Sequence, residues 1–196
     1  DLAADPREIG AALGDLARAH PGLRVPGAFD GFELAVRAVV GQQVSVKAAR
    51  TLLGRLVAAH GETVELPGNG PVKLFPAARA IAALPPADIA RIGMVAARAR
   101  AVHALATAVD AGTVSLEPGG DVEASMRALV ALPGIGDWTA SYIAMRALRW
   151  PDAFPAGDLV VKRALGVTTA ARAEAASAAW RPWRAYAVMH LWKGAS

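Results

Sequence analysis

The chain has 196 residues, 54% of them hydrophobic, and this length and composition favour a globular protein with a sizeable core over a disordered one. The absence of cysteine excludes disulfides, thiolate zinc sites and cysteine-ligated iron–sulfur clusters. No apolar run reaches the roughly 18 residues of a membrane span, and we expect cytoplasmic localisation. The first residue is not Met, and we therefore expect the chain to be a piece of a larger fused protein.

Apolar residues recur at steps of three and four in nearly every segment between prolines and glycines, which predicts an all-α protein. Asp30 and Asp121 precede two of these segments as N-cap residues. The loop 61–75 predicts at most a short extended pair. The predicted helices are, in chain order, 6–19, 31–40, 44–59, 76–83, 87–92, 95–111, 121–131, 137–148, 158–165, 169–179 and 182–193.

Positive charge is concentrated toward the end of the chain. Residues 127–196 contain nine Lys and Arg against four Asp and Glu, whereas the net charge of the whole chain is only +4. Such a surface attracts a polyanion through counterion release. The alternative is an arginine-rich face that is merely solvated.

The segment LPGIG, residues 132–136, predicts a tight turn between two helices. Pro133 ends the first helix, and Gly134 and Gly136 can adopt positive φ. A phosphate oxygen fits the start of the second helix. This site offers free N–H groups, the positive end of the helix dipole and glycines without side chains. A plain helical hairpin with a glycine corner is the alternative.

Three side chains that follow this turn in the sequence are candidates for a functional site. Trp138 and Tyr142 are four residues apart, so they share a helix face, either as core or as a surface for nucleobase stacking. Asp158 follows the linker WPDAFPAG at the N-cap position of the next predicted helix. It either only caps that helix or serves as a fixed anion that stabilises a cation beside the aromatic rings.

Four motifs together resemble the helix-hairpin-helix DNA glycosylases: FELAVRAVVGQQVSVKAA, LPGIGDWTASYIAMRAL, DAFPAGDLVVKR and WRPWRAYAVMHLW. The likeness extends over residues 1–193 and is greatest to the bacterial 3-methyladenine glycosylase branch. It implies two helical lobes that flank a cleft. One is a central domain, 31–150, that ends in the helix-hairpin-helix, and the other combines 1–30 with 151–196. The relatives begin with a further α/β lobe, and we expect this chain to lack it.

The resemblance also assigns roles to residues. Asp158 matches the catalytic aspartate, and Trp138, Tyr142 and Trp192 match the walls of the pocket for the extruded base. Gln42 and Gln43 match the turn that wedges into the gap in the DNA. The hairpin residues that match the DNA-backbone grip are Pro133, Gly134, Ile135 and Gly136. In relatives, hairpin carbonyls also hold a monovalent cation, Na⁺ or K⁺, and the matching carbonyls belong to Val130, Leu132 and Ile135.

The implied function is hydrolysis of the N-glycosidic bond of alkylated purines in double-stranded DNA, by a monomer that requires no cofactor. Strand-cleaving relatives carry a lysine where this chain has Trp138, so we expect a monofunctional enzyme that leaves an abasic site. The alternatives are a non-catalytic DNA-binding module and a glycosylase of another base specificity.

Overall fold

The computed structural model describes residues 4–68 and 70–195. The fold is mainly helical with one small strand pair, as predicted from the periodicity. The elements within the described residues are α1 (Pro6–Leu13), α2 (Asp15–Arg18), α3 (Gly31–Gly41), α4 (Val46–His60), β1 (Thr63–Leu66), β2 (Gly70–Lys73), α5 (Ala78–Ala82), α6 (Pro86–Ala90), α7 (Ala96–Asp110), α8 (Val122–Val130), α9 (Asp137–Arg146), α10 (Leu159–Ala164), α11 (Ala170–Ala176), a 3-10 helix (Ala178–Trp180) and α12 (Arg184–Gly194).

Differences from the predicted boundaries have local causes. The helix predicted over 6–19 is divided into α1 and α2 at Gly14, whose φ of 56° cannot continue a right-handed helix. The predicted extended pair in 61–75 is present as the antiparallel strands β1 and β2, with Thr63 opposite Lys73 and Leu66 opposite Gly70. Asn69 lies outside the described residues.

By their internal contacts, the described residues form two compact units. The central unit comprises Asp30–Leu116 and Glu123–Gly136, and the terminal unit comprises the chain up to Phe29, Glu117–Val122 and the chain from Asp137 onward. The predicted central domain, 31–150, includes residues 137–150, whereas the grouping by contacts puts these residues in the terminal unit. The reason is that α9 bonds through Trp138 and Arg146 to residues of the terminal unit. Residues 1–3 and 196 of the predicted second lobe lie outside the described residues.

The central unit is built around α7. This helix packs against α3, α5 and α6 and places Ala99, Val102 and Leu105 in the core with no exposed surface. Burial of a Val or Leu side chain contributes about 1.5–3 kcal/mol, and the alanines on α7 let its neighbours approach closely. The core therefore fixes the start of α7, which lies against the turn that follows α3.

The terminal unit has its core where α1 and α2 meet α12. Ile9, Leu13 and Ala17 pack there against Tyr186 and Ala187. This packing fixes α12, the helix that carries Trp192. In the described part of the chain, none of the helices combines the length and apolar character needed to cross a bilayer.

Candidate active site

Asp158 lies at the N-terminus of α10 and is half-buried. Its Oδ1 accepts a hydrogen bond of 2.9 Å from the backbone N–H of Val161, as expected for an N-cap residue. Capping of this kind fixes the carboxylate relative to the helix backbone. The prediction that Asp158 caps this helix is therefore confirmed, but capping accounts for only part of the contacts of Asp158.

Two tryptophans also donate hydrogen bonds to this carboxylate. The indole Nε1 of Trp138 lies 2.9 Å from Oδ2 of Asp158, and the indole Nε1 of Trp192 lies 3.2 Å from Oδ1. All three donors are electrically neutral, and no salt bridge joins Asp158 to a cation within the described residues. The carboxylate is thus held in place without cancellation of its negative charge.

The carboxylate keeps the capacity to accept a further hydrogen bond. An ionised carboxylate offers about four lone-pair sites, two on each oxygen. The bonds described above use two on Oδ1 and one on Oδ2. A site on Oδ2 is therefore available for a water molecule or for an electrostatic contact with a developing positive charge.

The three aromatic rings form a continuous wall beside Asp158. Trp138 and Tyr142 are stacked, with centroids 5.5 Å apart and planes 12° apart. Tyr142 and Trp192 are tilted at 40° with centroids 6.3 Å apart. A planar base between two parallel rings needs about 7 Å, twice the carbon–carbon contact distance. The Trp138–Tyr142 pair is too close to hold a base between its rings and offers only its outer faces.

Arg146 supports this wall and is a residue that the sequence analysis missed. Its Nη1 donates to the hydroxyl of Tyr142 at 3.1 Å, and its guanidinium carbon lies 5.6 Å from the centre of that ring. Its Nε donates to the carbonyl of Pro26. The spacing of four residues between Tyr142 and Arg146 on one helix was the available signal.

A buried ion-pair network anchors the linker that leads to Asp158. Arg184, at the start of α12, donates from Nε to Oδ1 of Asp152 at 2.7 Å and from Nη2 to Oδ2 at 2.9 Å. Glu174 accepts from Nη1 of the same guanidinium. Burial lowers the pKa of Arg184, but the bonds to Asp152 and Glu174 outweigh it, so the pKa lies above its ordinary value. Because α12 also carries Trp192, one helix holds both the linker and a partner of Asp158.

The hairpin belongs to the central unit. Gly134 has a φ of 79°, whereas Gly136 does not use the positive φ that its sequence would permit. The side chain of Ile135 is buried at 3% exposure, while Pro133, Gly134 and Gly136 are exposed. Ile135 thus anchors the turn, and Pro133, Gly134 and Gly136 are accessible to a ligand.

The two adjacent glutamines have different surroundings. Gln43 is exposed and has a φ of 53°, which is rare for a residue with a side chain. Gln42 instead donates from Nε2 to the carbonyl of Gly134 across 3.0 Å. The amide of Gln42 is therefore bonded to the hairpin, and the side chain of Gln43 is exposed at the tip of the turn.

The carbonyls expected to hold a cation lie just after α8. The carbonyl of Leu132 accepts a 3.2 Å bond from the N–H of Ile135, which leaves it one lone pair. Val130 is the last residue of α8, where carbonyl groups carry the negative end of the helix dipole. Within 4–68 and 70–195 there is no cluster of three or more His, Asp or Glu side chains suited to a metal ion.

Comparison with known proteins gives a consistent assignment. The family model for HhH-GPD superfamily base excision DNA repair proteins matches residues 36–184. The chain is 39% identical over 193 residues to DNA-3-methyladenine glycosylase 2 of Escherichia coli, a match that covers 98% of this chain and 67% of that protein. It is 45% identical over 202 residues to the probable bifunctional transcriptional activator/DNA repair enzyme AlkA of Mycobacterium tuberculosis, which covers 98% of this chain and only 40% of that protein.

A solved structure supports the fold at lower sequence identity. The 8-oxoguanine glycosylase/lyase of Clostridium acetobutylicum, in complex with double-stranded DNA that contains cytosine opposite 8-oxoguanine, superimposes with a TM-score of 0.77 at 17% identity. The match covers 100% of this chain and 71% of that one. From the match over 36–184 and the identity to the E. coli protein, this chain belongs to the HhH-GPD superfamily of base excision DNA repair proteins.

Proposed function

We propose that this chain removes alkylated purines, of the 3-methyladenine and 7-methylguanine type, from double-stranded DNA by hydrolysis of the N-glycosidic bond. The observation that carries the proposal is the carboxylate of Asp158, held by two indole N–H groups beside an aromatic wall. The names of the E. coli and M. tuberculosis relatives point to the same chemistry.

Asp158 acts on the sugar. An alkylated purine is already a cation, so the bond from C1′ to nitrogen breaks without prior protonation, and its electron pair neutralises the base. C1′ is then left with positive charge, as in other glycoside hydrolyses. The anionic Asp158 stabilises this charge, water adds its oxygen to C1′, and the released proton passes through Oδ2 to solvent.

The aromatic wall binds the base. The base is first flipped out of the duplex, at a cost of a few kcal/mol that is smaller for a damaged pair. The outer faces of Trp138 and Tyr142 and the ring of Trp192 then contact it, and a cationic base over such a face gains roughly 0.5–2 kcal/mol. Because this preference is modest, the enzyme accepts several alkylated bases.

The reaction stops at an abasic site. A lyase step needs an amine that attacks C1′ and forms a Schiff base. Trp138 has no amine, and its single N–H donates to Asp158. We therefore propose monofunctional hydrolysis, without cleavage of the strand.

The hairpin binds the DNA backbone. Pro133, Gly134 and Gly136 are exposed, and backbone N–H groups such as those of the two glycines fit a phosphate oxygen. The carbonyls of Val130, Leu132 and Ile135 are hard oxygen ligands and would hold a Na⁺ or K⁺ that supplies positive charge next to this phosphate. The monomeric state, the place in a longer chain and the cytoplasmic location stay predictions.

The experiment is incubation of methylated duplex DNA with the purified chain. We expect release of free 3-methyladenine and 7-methylguanine, with strand breaks that appear only after mild alkali. Binding without base release would support the non-catalytic alternative. Strand breaks before alkali, together with a borohydride-trapped adduct, would contradict the monofunctional assignment.

A further inference from the structure

The turn with Gln42 and Gln43 is physically linked to the hairpin. Gln42 ends α3, and its side-chain amide spans 3.0 Å to the carbonyl of Gly134, 92 residues further along the chain. The backbone carbonyl of Gln42 in turn accepts a 2.6 Å bond from Nη2 of Arg98. One residue is therefore held on both its main chain and its side chain.

Both parts of this arrangement are supported by α7. Arg98 and Ala101 are three residues apart, so they lie on the same face of that helix. A Cβ placed on Gly134 would be only 2.9 Å from the Cβ of Ala101, which shows how closely the hairpin lies to α7. The glutamine turn and the hairpin thus rest on the same helix.

The backbone of the turn also requires such support. Gln43 has a φ of 53°, a conformation that is strained for a residue with a Cβ and persists where neighbouring contacts fix it. The charged bond from Arg98 to the preceding carbonyl is such a contact. In this conformation the Cα–Cβ bond of Gln43 has a defined direction.

We propose that Gln42 and Arg98 are positioning residues that set the distance between the inserted Gln43 and the phosphate bound by the hairpin. The inference rests on the proposed function. Successive phosphates on one strand are spaced by about 3.4 Å along the helix axis. A slip of that size would place Gln43 one base step away from the flipped nucleotide. Gln42 is therefore assigned to contacts within the protein, and only Gln43 is inserted into the DNA.

The variant Gln42→Met tests this assignment because it keeps the side-chain length and removes the N–H donor. We expect binding to intact duplex DNA and its salt dependence to be unchanged. The preference for a duplex with a tetrahydrofuran abasic analogue over the intact duplex falls at least fivefold, measured by fluorescence anisotropy. Arg98→Met gives a similar fall, and the double variant loses little more than the larger single loss, because both residues act through one turn.

Matched controls separate positioning from general damage. Arg100→Met removes an exposed cation from the same helix and leaves the preference unchanged. Arg98→Lys restores part of the preference if a donor to the Gln42 carbonyl is what matters. Urea unfolding of each variant identifies a loss of folding. Excision from methylated single-stranded DNA, which has no base-pair stack for Gln43 to enter, stays within twofold of wild type.

The two proposals fail separately. If the wild type prefers the abasic analogue and Gln42→Met abolishes that preference, the positioning role stands even if no base is ever released. A preference that Gln42→Met leaves intact, that Arg100→Met abolishes equally, or that the wild type never shows overturns the positioning role, whatever the excision activity is.

Discussion

The indole N–H of Trp138 donates to Oδ2 of Asp158 across 2.9 Å, although the two residues are 20 positions apart. The ring of Trp138 stacks on Tyr142 with one face, so its edge and its two faces have separate tasks. In the proposed mechanism, the edge orients the carboxylate of Asp158 and the outer face binds the base. Under that proposal, a tryptophan at this position serves both the reaction and recognition.

Trp138→Phe separates these two tasks. Phenylalanine keeps an aromatic face and removes the N–H, so the base still stacks while Asp158 loses one of its three donors. A hydrogen bond to a charged group contributes about 1.5–3 kcal/mol, and we expect the single-turnover excision rate to fall roughly 10- to 100-fold with little change in affinity for an abasic duplex. Trp150→Phe, at another half-buried tryptophan, is the matched control, and an equal loss in both variants would contradict the account.

The hairpin glycines should respond differently to alanine. Gly134→Ala forces a Cβ onto a residue with φ 79° and to 2.9 Å from Ala101, so we expect a loss of about 1–3 kcal/mol in the free energy of unfolding. Gly136→Ala meets no atom within 4 Å and has no positive φ. Its stability should stay within about 0.5 kcal/mol of wild type while its affinity for duplex DNA falls severalfold. Urea unfolding and DNA titration measure both effects, and Gly136→Ala with full affinity argues against backbone contact at this position.

The buried pair of Arg184 and Asp152 should dominate the stability of the terminal unit. Arg184→Met leaves the carboxylate of Asp152 buried without its main partner, and we expect a loss of about 3–5 kcal/mol in unfolding free energy. Arg181 also contacts Asp152, but its side chain is 53% exposed, so Arg181→Met should cost under about 1 kcal/mol. Equal losses would show that burial is not what makes the Arg184 pair important.

The histidine at 190 predicts a pH dependence of stability. Burial lowers its pKa below the ordinary value of 6.5, with a smaller contribution from His20, and its Nδ1 has no hydrogen-bond partner within the described residues. Below pH 6.5 the unfolded chain therefore binds this proton more readily than the folded chain does. The stability that the neutral ring provides is complete above that value and decreases as the pH falls toward the lowered pKa.

We expect the wild type to lose unfolding free energy between pH 7.5 and pH 5.5, as measured by urea titration at each pH. His190→Gln should lose less over the same interval, because it has no imidazole to protonate. His60→Gln, on α4, is the control and should follow the wild type. If the unfolding free energies of His190→Gln and the wild type changed in parallel with pH, His190 would not be the cause of the pH dependence.

Local features of the fold were readable from the sequence because they depend on neighbours within one helical turn. Asp30 caps α3 through a 2.8 Å bond to the N–H of Glu33, and Thr169 caps α11 through the N–H of Arg172. Asp158 follows the same rule. The break at Gly14 was missed because an isolated glycine is also tolerated inside a helix, and only the surrounding packing decides its φ.

The contacts that define the site are not local, and the sequence contained only indirect signs of them. The donor-only indole of a half-buried tryptophan needs an acceptor, but nothing in the sequence identifies Asp158 as the acceptor for both Trp138 and Trp192. The resemblance places both glutamines in the turn that wedges into the DNA. Their different contacts depend on Gly134, 92 residues away from Gln42.

The central claim is that the negative charge of Asp158 accelerates cleavage of the bond to the base, and the single-turnover rate of Asp158→Asn tests it most directly. Asparagine keeps the shape and one acceptor oxygen but has no charge. We predict a loss of at least 100-fold in 3-methyladenine release, about 2.7 kcal/mol, with unchanged affinity for abasic duplex and with Asp110→Asn at wild-type activity. A rate for Asp158→Asn above a tenth of wild type, a loss under about 1.4 kcal/mol, would contradict the claim.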